Sequence, residues 1–164
     1  MNLPKELKPE MVTAIVDTRE QRPFNLAPLQ CVFRGLDTGD YSVNGLTHIV
    51  AVERKSLDDL LMCVGQERER FDREIVRLLA YPMRAVVIEG SMGQIERGEY
   101  RSKVHPNAAI GSIMSWQAKG INFIFAEDHE TAGRLTAKFL FSAARARYRE
   151  NYPFIESLLN SPVS

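Results

Sequence analysis

The sequence predicts an α/β domain of three layers, in which helices cover both faces of a mixed central sheet. Two observations lead to this fold class. The first half of the chain contains hairpin-linked strand segments, and in the second half helical and strand segments alternate. Hairpins give antiparallel pairs and strand–helix alternation gives parallel ones, so we expect the sheet to contain both. A length of 164 residues fits one domain.

Four strands are expected in the first half of the chain, at 11–16, 30–36, 40–43 and 48–55. The first is apolar and β-branched and ends at Asp17, which is the pattern of a buried strand. A proline-containing loop leads from it to the second strand. The third and fourth are joined through Asn44-Gly45, a dipeptide typical of hairpin turns, so we expect an antiparallel pair there.

Helices dominate the second half, and two further buried strands lie between them. Phe71, Ile75 and Leu78 share one face of a segment that is charged elsewhere, which predicts an amphipathic helix that ends at Pro82. Asp128 is a suitable N-cap for the last long helix. One helix is expected to begin at Ser56, and four others to cover 67–81, 106–119, 129–150 and 152–160. The expected strands cover 85–88 and 121–125.

Composition narrows the class of protein. The 21 basic and 21 acidic side chains give a formal net charge of zero, unlike many nucleic-acid-binding modules, although a balanced total can conceal separate patches. No apolar run is long enough to span a membrane and the charged N-terminus lacks a signal region, so we expect a cytoplasmic protein without membrane association. Cys31 and Cys63 are too few for a disulfide framework, and their apolar surroundings predict reduced core thiols.

The most informative residues are Gly39-Asp40 and, thirteen positions after Asp40, Glu53-Arg54-Lys55. Side chains alternate along a strand, so Glu53 and Lys55 share one face, roughly 7 Å apart, and Arg54 lies on the other. The predicted hairpin brings Asp40 back beside the end of the second strand. Two carboxylates and one ammonium therefore converge at one place.

This combination of side chains suits the hydrolysis of a phosphodiester bond. A divalent ion held by Asp40 and Glu53 would activate a water molecule and offset negative charge on the phosphate. Carboxylate oxygens suit Mg²⁺, which usually retains several waters. Lys55 could orient the attacking water or offset developing charge. Asp17, at the end of a neighbouring strand, could contribute another oxygen.

The same residues also have structural interpretations. Arg19 and Arg54 are candidates for a bidentate clamp on phosphate oxygens, but arginines also form ion pairs. A Glu-x-Lys pair on a strand is usually a surface ion pair, and an aspartate after glycine is most often a turn residue. Ser56 and Asp59 fit a capping box at a helix start, so Asp59 is interpreted equally as a cap or as a site residue.

Three segments of the chain resemble the nuclease domain of the XPF family. They are Asp17-Thr18-Arg19-Glu20, Gly39-Asp40-Tyr41 and Glu53-Arg54-Lys55-Ser56-Leu57-Asp58-Asp59. The family signature is Gly-Asp, a variable spacer, Glu-Arg-Lys, three residues and Asp. This sequence contains every part of it, with Asp59 in the last place. The resemblance covers roughly residues 12–150 and therefore nearly the whole chain.

The resemblance implies a restriction-endonuclease-like fold. It also implies Mg²⁺- or Mn²⁺-dependent cutting of branched DNA, near a junction or a 3′ flap, in repair or recombination. Asp40 and Glu53 are implied as metal ligands and Lys55 as a catalytic residue. The positions that match residues supporting activity in the family are Asp17, Arg19, Arg54 and Asp59.

One part of the family pattern is missing. Many relatives carry a helix-hairpin-helix module after the nuclease domain, whereas residues 1–164 are expected to form a single nuclease domain that ends in a tail or short helix at 151–164. The sequence is more similar to the stand-alone nucleases of bacteria and their phages, which implies a place near the nucleoid. Selectivity for DNA structure is then left open, with a separate DNA-binding protein as one alternative source.

Residues outside the motifs suggest contacts with DNA and with a second subunit. Arg70, near the start of a helix, and His105, before another, are candidate phosphate contacts, although His105 is equally interpreted as a structural loop residue. Phe139, Leu140 and Phe141 are consecutive and cannot all face one core, which favours contact with a partner. The resemblance implies a homodimer, because the family often dimerises through its nuclease domain. The leading function is a DNA endonuclease; the alternatives are a DNA-binding scaffold without catalysis and a nuclease with little structure selectivity.

Overall fold

The computed structural model describes residues 2–161, which form a six-stranded sheet between two layers of helices. The strands are β1 (Thr13–Val16), β2 (Gln30–Phe33), β3 (Tyr41–Val43), β4 (Val50–Ser56), β5 (Met83–Glu89) and β6 (Asn122–Ala126). The helices are α1 (Leu57–Val64), α2 (Arg68–Leu79), α3 (Met92–Glu96), α4 (Pro106–Ala118) and α5 (His129–Leu159). A 3₁₀ turn at Pro9–Met11 precedes β1.

The sheet is mixed, as the sequence predicts, with the strand order β2-β1-β3-β4-β5-β6. Strand β3 lies between β1 and β4 and is antiparallel to both. The other neighbouring pairs, β1 with β2, β4 with β5 and β5 with β6, are parallel. The predicted hairpin therefore provides part of the antiparallel pairing, and the strand–helix crossovers after β4 provide parallel pairs.

Two hydrophobic cores lie on opposite faces of the sheet because side chains alternate along each strand. In β4, Val50 and Val52 belong to the core that α5 covers, whereas Ala51 belongs to the core covered by α1, α2 and α4. The layer of α5 contributes Ala132, Ala137 and Leu140, and the opposite layer contributes Leu60, Phe71, Ile75, Ile113 and Trp116. The predicted three-layer α/β/α class is confirmed.

The end of the chain differs from the prediction of two helices separated near residue 151. Helix α5 is continuous over 31 residues and contains Pro153 in its interior. Proline removes one backbone donor and leaves the carbonyl of Arg149 without its helical partner, but Arg149 is exposed, so water can satisfy that carbonyl. Nearby, the Asn151 side chain donates to the Arg147 carbonyl at 2.8 Å. Residues 162–164 of the predicted tail lie outside the described residues.

One further expectation was wrong, the burial of Cys31, and one helix was not predicted. Cys63 is buried, but Cys31 is exposed, because β2 is an edge strand in which all four residues are exposed. Helix α3 was not predicted, because five residues are too few to show a helical period; a capping box between Ser91 and Gln94 defines its start.

The three consecutive apolar residues of α5 all contact the core. Leu140 is fully buried, and Phe139 and Phe141 are partly buried against the same cluster, so none of them provides the outward apolar surface that the sequence indicated. The exposed apolar side chains of α5 lie further along, at Phe154, Ile155, Leu158 and Leu159. Within residues 2–161, no helix combines the length and apolar character needed to cross a membrane.

Candidate active site

Asp40 is held against β4 by two backbone contacts. Its N–H donates to the carbonyl of Val52, and its Oδ2 accepts from the N–H of Arg54, each at 2.8 Å. The antiparallel pairing of β3 with β4 that the hairpin motif predicts creates this arrangement. The Asp40 carboxylate therefore lies beside the end of β4, as predicted.

Gly39 is the residue that allows Asp40 to approach β4 so closely. Its φ is +79°, and a Cβ on it would lie 2.9 Å from the carbonyl oxygen of Val52. A side chain would meet backbone, which cannot rotate away, and the left-handed conformation itself disfavours other residues.

We expect Gly39→Ala to lower the free energy of unfolding by about 2 kcal/mol or more and to displace Asp40 from β4. Chemical denaturation measures the first effect and the rate of DNA cleavage the second. Gly35→Ala is the matched control, because a Cβ there meets nothing within 4 Å. Equal stability of the two variants would contradict the close approach.

Glu53 and Lys55 lie on the same face of β4, as strand alternation predicts. The Lys55 Nζ is 3.4 Å from Glu53 Oε1 and also 3.4 Å from Glu74 Oε2 on α2. All three side chains are mostly buried: the exposed fraction is 16% for Lys55, 17% for Glu53 and 19% for Glu74. The Lys55 Nζ also lies over the Phe71 ring, at 5.4 Å from the ring centroid. This pocket therefore concentrates charge at a position largely removed from water.

Burial and charge change the acidity of these groups. Burial raises the pKa of Asp40, and the N–H of Arg54 opposes that effect. Burial, and after it the charge of Asp40, raises the pKa of Glu53. Burial lowers the pKa of Lys55, but Glu53 and Glu74 outweigh it, so the ammonium form is favoured. The two acids thus lie where a cation would stabilise their ionised forms.

The donor set fits one kind of metal ion better than others. Residues 2–161 contain no group of three or more His, Cys, Asp or Glu side chains placed to hold a metal ion. A closed zinc site is therefore not supported. Two carboxylates do suit Mg²⁺ or Mn²⁺, because Mg²⁺ is commonly bound through one or two carboxylates, water and the substrate phosphate.

Both carboxylate oxygens of Asp17 are hydrogen-bonded to residues other than Asp40 and Glu53. Its buried carboxylate accepts hydrogen bonds from the backbone N–H, the Nε and the Nη2 of Arg19, at 2.8, 2.8 and 3.0 Å. It also accepts from the N–H of Leu36 at 2.8 Å, and Arg19 Nη2 donates to the Leu36 carbonyl. Asp17 therefore orients Arg19 and fixes the loop that follows β2.

These contacts make the stability of the protein depend on acid pH. The hydrogen bond from Arg19 lowers the pKa of Asp17 from 3.8 to about 2. Because the folded pKa is depressed, the stabilisation is present above about pH 4 and is lost as the pH falls through about 2. We expect Asp17→Asn to cost roughly 1–2 kcal/mol at neutral pH, allowing for the exposure of Arg19. Urea denaturation from pH 7 to pH 2 should show this difference shrinking; a constant difference would contradict it.

Arg54 lies on the opposite face of β4 and does not join Glu53 and Lys55. Its Nη1 donates to Glu20 Oε1 at 3.0 Å, and its Nε donates to Glu89 Oε1. His129 Nδ1 lies 2.9 Å from the same oxygen of Glu89. The guanidinium that the sequence suggested as a phosphate clamp is therefore engaged by two carboxylates. We call Glu20, Arg54, Glu89 and His129 the Arg54 cluster.

The acidic pair opens into a recess of about 230 Å³ with basic side chains around it. Arg19, which follows β1, and Arg70 and Arg77 of α2 line the recess together with the acidic pair. Arg70 is 72% exposed, and its ion pair among residues 2–161 is a long contact of 3.8 Å with Glu67. A strongly negative polymer could therefore contact arginines around Asp40 and Glu53, despite the zero net charge of the chain.

Comparisons with known proteins identify the family. A family model described as the ERCC4 domain matches residues 16–139, which is most of the chain. The chain belongs to the ERCC4 domain family. The XPF-type resemblance that the motifs indicate is confirmed.

Solved structures share this ERCC4 fold. XPF from Aeropyrum pernix matches with a TM-score of 0.64 and 21% identity, over 90% of this chain and 74% of that chain. XPF from Aeropyrum pernix in complex with DNA matches with a TM-score of 0.60 and 23% identity, over 85% of this chain and 66% of that chain. The restriction-endonuclease-like fold predicted from the motifs is thereby confirmed. A search of curated proteins gave no match.

Two candidate site residues of the ERCC4 domain, Asp59 and His105, lie at helix starts, in agreement with the structural interpretation given for each of them. The N–H of Asp59 donates to Ser56 Oγ at 3.1 Å, so Ser56 caps α1. The return bond from the Ser56 N–H to the Asp59 carboxylate, which a capping box requires, is not among the hydrogen bonds of residues 2–161. The exposed Asp59 side chain lines a second recess together with Lys55, Arg70 and Glu74. His105 is the N-cap of α4 and accepts from the N–H of Asn107 at 3.1 Å. Its contact with DNA stays a prediction.

Two residues of the ERCC4 site were not predicted from the sequence, Glu74 and Arg77. Both belong to the helix predicted at 67–81 and lie outside its apolar face. Together with Arg70 they have the spacing i, i+4, i+7, which places all three on one stripe of α2. That stripe lies next to the buried one of Phe71, Ile75 and Leu78, so helical periodicity was the available signal.

Proposed function

We propose that this chain is a divalent-metal-dependent endonuclease that hydrolyses phosphodiester bonds of DNA. The observation that carries the proposal is that two partly buried carboxylates, Asp40 and Glu53, line one recess, with the Lys55 ammonium 3.4 Å from Glu53. Membership of the ERCC4 domain family supports it. A scaffold that only binds DNA would not need a partly desolvated acidic pair beside a lysine.

Asp40 and Glu53 would hold Mg²⁺ or Mn²⁺. When bound, the ion supplies an activated water and positive charge at the scissile phosphate. Lys55 contributes an ammonium that can donate to the attacking water or to a phosphate oxygen. The hydrogen bond from the Arg54 N–H to Asp40 holds this carboxylate beside β4, the strand that carries Glu53. The two carboxylates therefore need little rearrangement to bind an ion.

Metal binding can be measured separately from catalysis. We expect Mg²⁺ and Mn²⁺ to raise the melting temperature of the wild-type protein in a concentration-dependent way, because the ion binds the folded state. Asp40→Asn should reduce that shift strongly. The matched control is Glu127→Gln, an exposed acid between β6 and α5, away from the recess. Equal shifts in Asp40→Asn and wild type would contradict the assignment of Asp40 as a ligand.

Arg19, Arg70 and Arg77 are proposed to contact DNA phosphates. A solved relative, XPF from Aeropyrum pernix, has been determined in complex with DNA. Substitution of one arginine by methionine should weaken binding similarly on all DNA sequences and reduce its dependence on salt, since phosphate contacts carry no sequence information.

We further propose that branched or flap DNA is the preferred substrate, in repair or recombination. The test is a cleavage panel with Mg²⁺ that compares flap, fork, bubble, single-stranded and linear duplex DNA at one salt concentration. Faster cutting of flaps and forks supports the proposal. Equal cutting of all forms favours a nuclease with little structure selectivity, and binding without any cutting favours the scaffold alternative.

A homodimer is proposed as the working assembly. Phe154, Ile155, Leu158 and Leu159 form an exposed apolar stripe on the distal part of α5, which a second subunit could cover. Sedimentation analysis of the wild type and of a Phe154→Glu, Leu158→Glu double variant decides the matter. A wild type that is monomeric at all concentrations tested would refute the dimer.

A further inference from the structure

Glu74 is an acidic residue of α2 that lies outside the Gly-Asp and Glu-Arg-Lys motif. Its side chain is only 19% exposed, although glutamates in the middle of an amphipathic helix normally point into solvent. It lies next to Phe71, Ile75 and Leu78, the residues that α2 packs against the sheet. Glu74 also lines both recesses of the site, the one with Asp40 and Glu53 and the one with Lys55 and Asp59.

The ion-pair partner of Glu74 is not the one that helix geometry offers. Arg70 and Arg77 lie four residues before and three residues after it, at the spacing of intrahelical pairs. The ion pair found for Glu74 among the described residues is instead with Lys55 of β4. Burying a carboxylate against another element carries a desolvation cost that an exposed intrahelical pair avoids. Helix stability therefore does not explain the position of Glu74.

The Lys55 ammonium is shared between two acids. It lies 3.4 Å from Glu53 Oε1 and 3.4 Å from Glu74 Oε2. Both distances are longer than the roughly 2.7–2.9 Å of a fully formed charged hydrogen bond. Glu74 Oε2 is buried and has no hydrogen-bond partner within residues 2–161. Its negative charge is therefore available to Lys55.

We propose that Glu74 is a positioning residue that retains the Lys55 ammonium in the active site when a divalent ion engages Glu53; the inference rests on the proposed function. A cation at Glu53 cancels the attraction between Glu53 and Lys55 and repels the ammonium. Glu74 belongs to a different element and supplies a second negative charge 3.4 Å from the Lys55 Nζ. The lysine then stays close to where the phosphate arrives.

The experiment compares Glu74→Gln, which keeps the size but removes the charge, with Glu74→Asp, which keeps the charge. Glu69→Gln is the matched control, because Glu69 is an exposed acid of the same helix. Three quantities are measured with Mg²⁺ present: the single-turnover cleavage rate, the Mg²⁺ affinity, and the rate at which Lys55 is acetylated, followed by mass spectrometry. Melting temperatures show that each variant is folded.

We expect Glu74→Gln to slow cleavage about 10- to 100-fold, to accelerate acetylation of Lys55 at least threefold, and to leave Mg²⁺ affinity within about threefold of wild type. Glu74→Asp should retain more activity than Glu74→Gln. Wild-type rates of cleavage and acetylation in Glu74→Gln would overturn the inference. A tenfold loss of Mg²⁺ affinity would also overturn it, because Glu74 would then be a metal ligand.

Failure of the proposed function gives a different result. A wild-type protein that cuts no DNA with Mg²⁺ or Mn²⁺ refutes the endonuclease, whereas the acetylation rate still decides whether Glu74 holds Lys55. If Glu74→Gln does not fold, Glu74→Asp provides the same comparison, since its shorter side chain increases the distance to Lys55 and should give an intermediate acetylation rate. An unchanged rate in that variant would refute the positioning role.

Discussion

Glu53→Gln is expected to abolish DNA cleavage and, in the metal-free protein, to raise the melting temperature. A bound cation contributes several kcal/mol of charge stabilisation to the transition state, and about 1.4 kcal/mol corresponds to a factor of ten. We therefore expect the single-turnover rate to fall about 10³-fold or more. Glutamine keeps the shape of the side chain, so the packing of β4 is maintained.

The gain in stability follows from the electrostatics of the site. Burial, and after it the charge of Asp40, raises the pKa of Glu53 from 4.5 to about 8. Because the folded protein then retains a proton that the unfolded chain releases, stability is unaffected below about pH 4.5 and falls as the pH rises to about 8. In EDTA at pH 8 we expect Glu53→Gln to melt about 2 °C or more above wild type, with no difference at pH 4.

The exposed Glu127 provides the matched control for this comparison. Glu127→Gln should change neither the cleavage rate nor the melting temperature appreciably. Cleavage at the wild-type rate by Glu53→Gln would eliminate the metal site. A lower melting temperature of this variant in EDTA would mean that Glu53 stabilises the fold instead of straining it.

Arg54→Met is expected to have the largest effect on stability. The guanidinium lies between Glu20 and Glu89, and the exposed fractions of these three side chains are 18%, 7% and 12%. Removing it leaves two carboxylates in a poorly solvated place without a cation, which typically costs about 3–5 kcal/mol. For a protein of this size the melting temperature should fall by roughly 6–15 °C.

The chain contains a suitable control for this effect. Arg97 forms an ion pair with Glu99 at 2.6 Å, but both side chains are more than half exposed. Arg97→Met should therefore change the free energy of unfolding by about 1 kcal/mol or less. Calorimetry of both variants, with DNA affinity measured in parallel, separates the two roles of Arg54. Unchanged stability with lost DNA binding would restore the phosphate-clamp interpretation.

Local rules were enough to predict the centre of the site. Strand alternation places Glu53 and Lys55 on one face and Arg54 on the other, and the hairpin brings Asp40 to them. Both effects act within about fifteen residues of chain and depend only on backbone geometry. The order of strands and helices was likewise enough to predict the mixed sheet.

Contacts between distant elements could not be predicted in the same way. The Arg54 cluster joins residues that are 34, 35 and 40 positions apart, from Arg54 to Glu20, from Arg54 to Glu89 and from Glu89 to His129. Glu74 meets Lys55 only because α2 packs against the sheet in one rotational position. The Arg54 cluster has no local signal. Helical periodicity places Glu74 beside the buried stripe of α2 but does not identify Lys55 as its partner, so neither set of contacts was predicted.

The hairpin loop between β3 and β4 suggests where this protein could be extended. Asp40 is fixed by hydrogen bonds to Val52 and Arg54, not by the turn itself, while Thr47 and His48 are exposed. Lengthening a loop adds only a modest closure entropy when the strands are already paired. A peptide tag or a small domain inserted between Thr47 and His48 should leave the acidic pair in place, which makes this position a natural attachment point for a recruiting module or a fluorescent reporter.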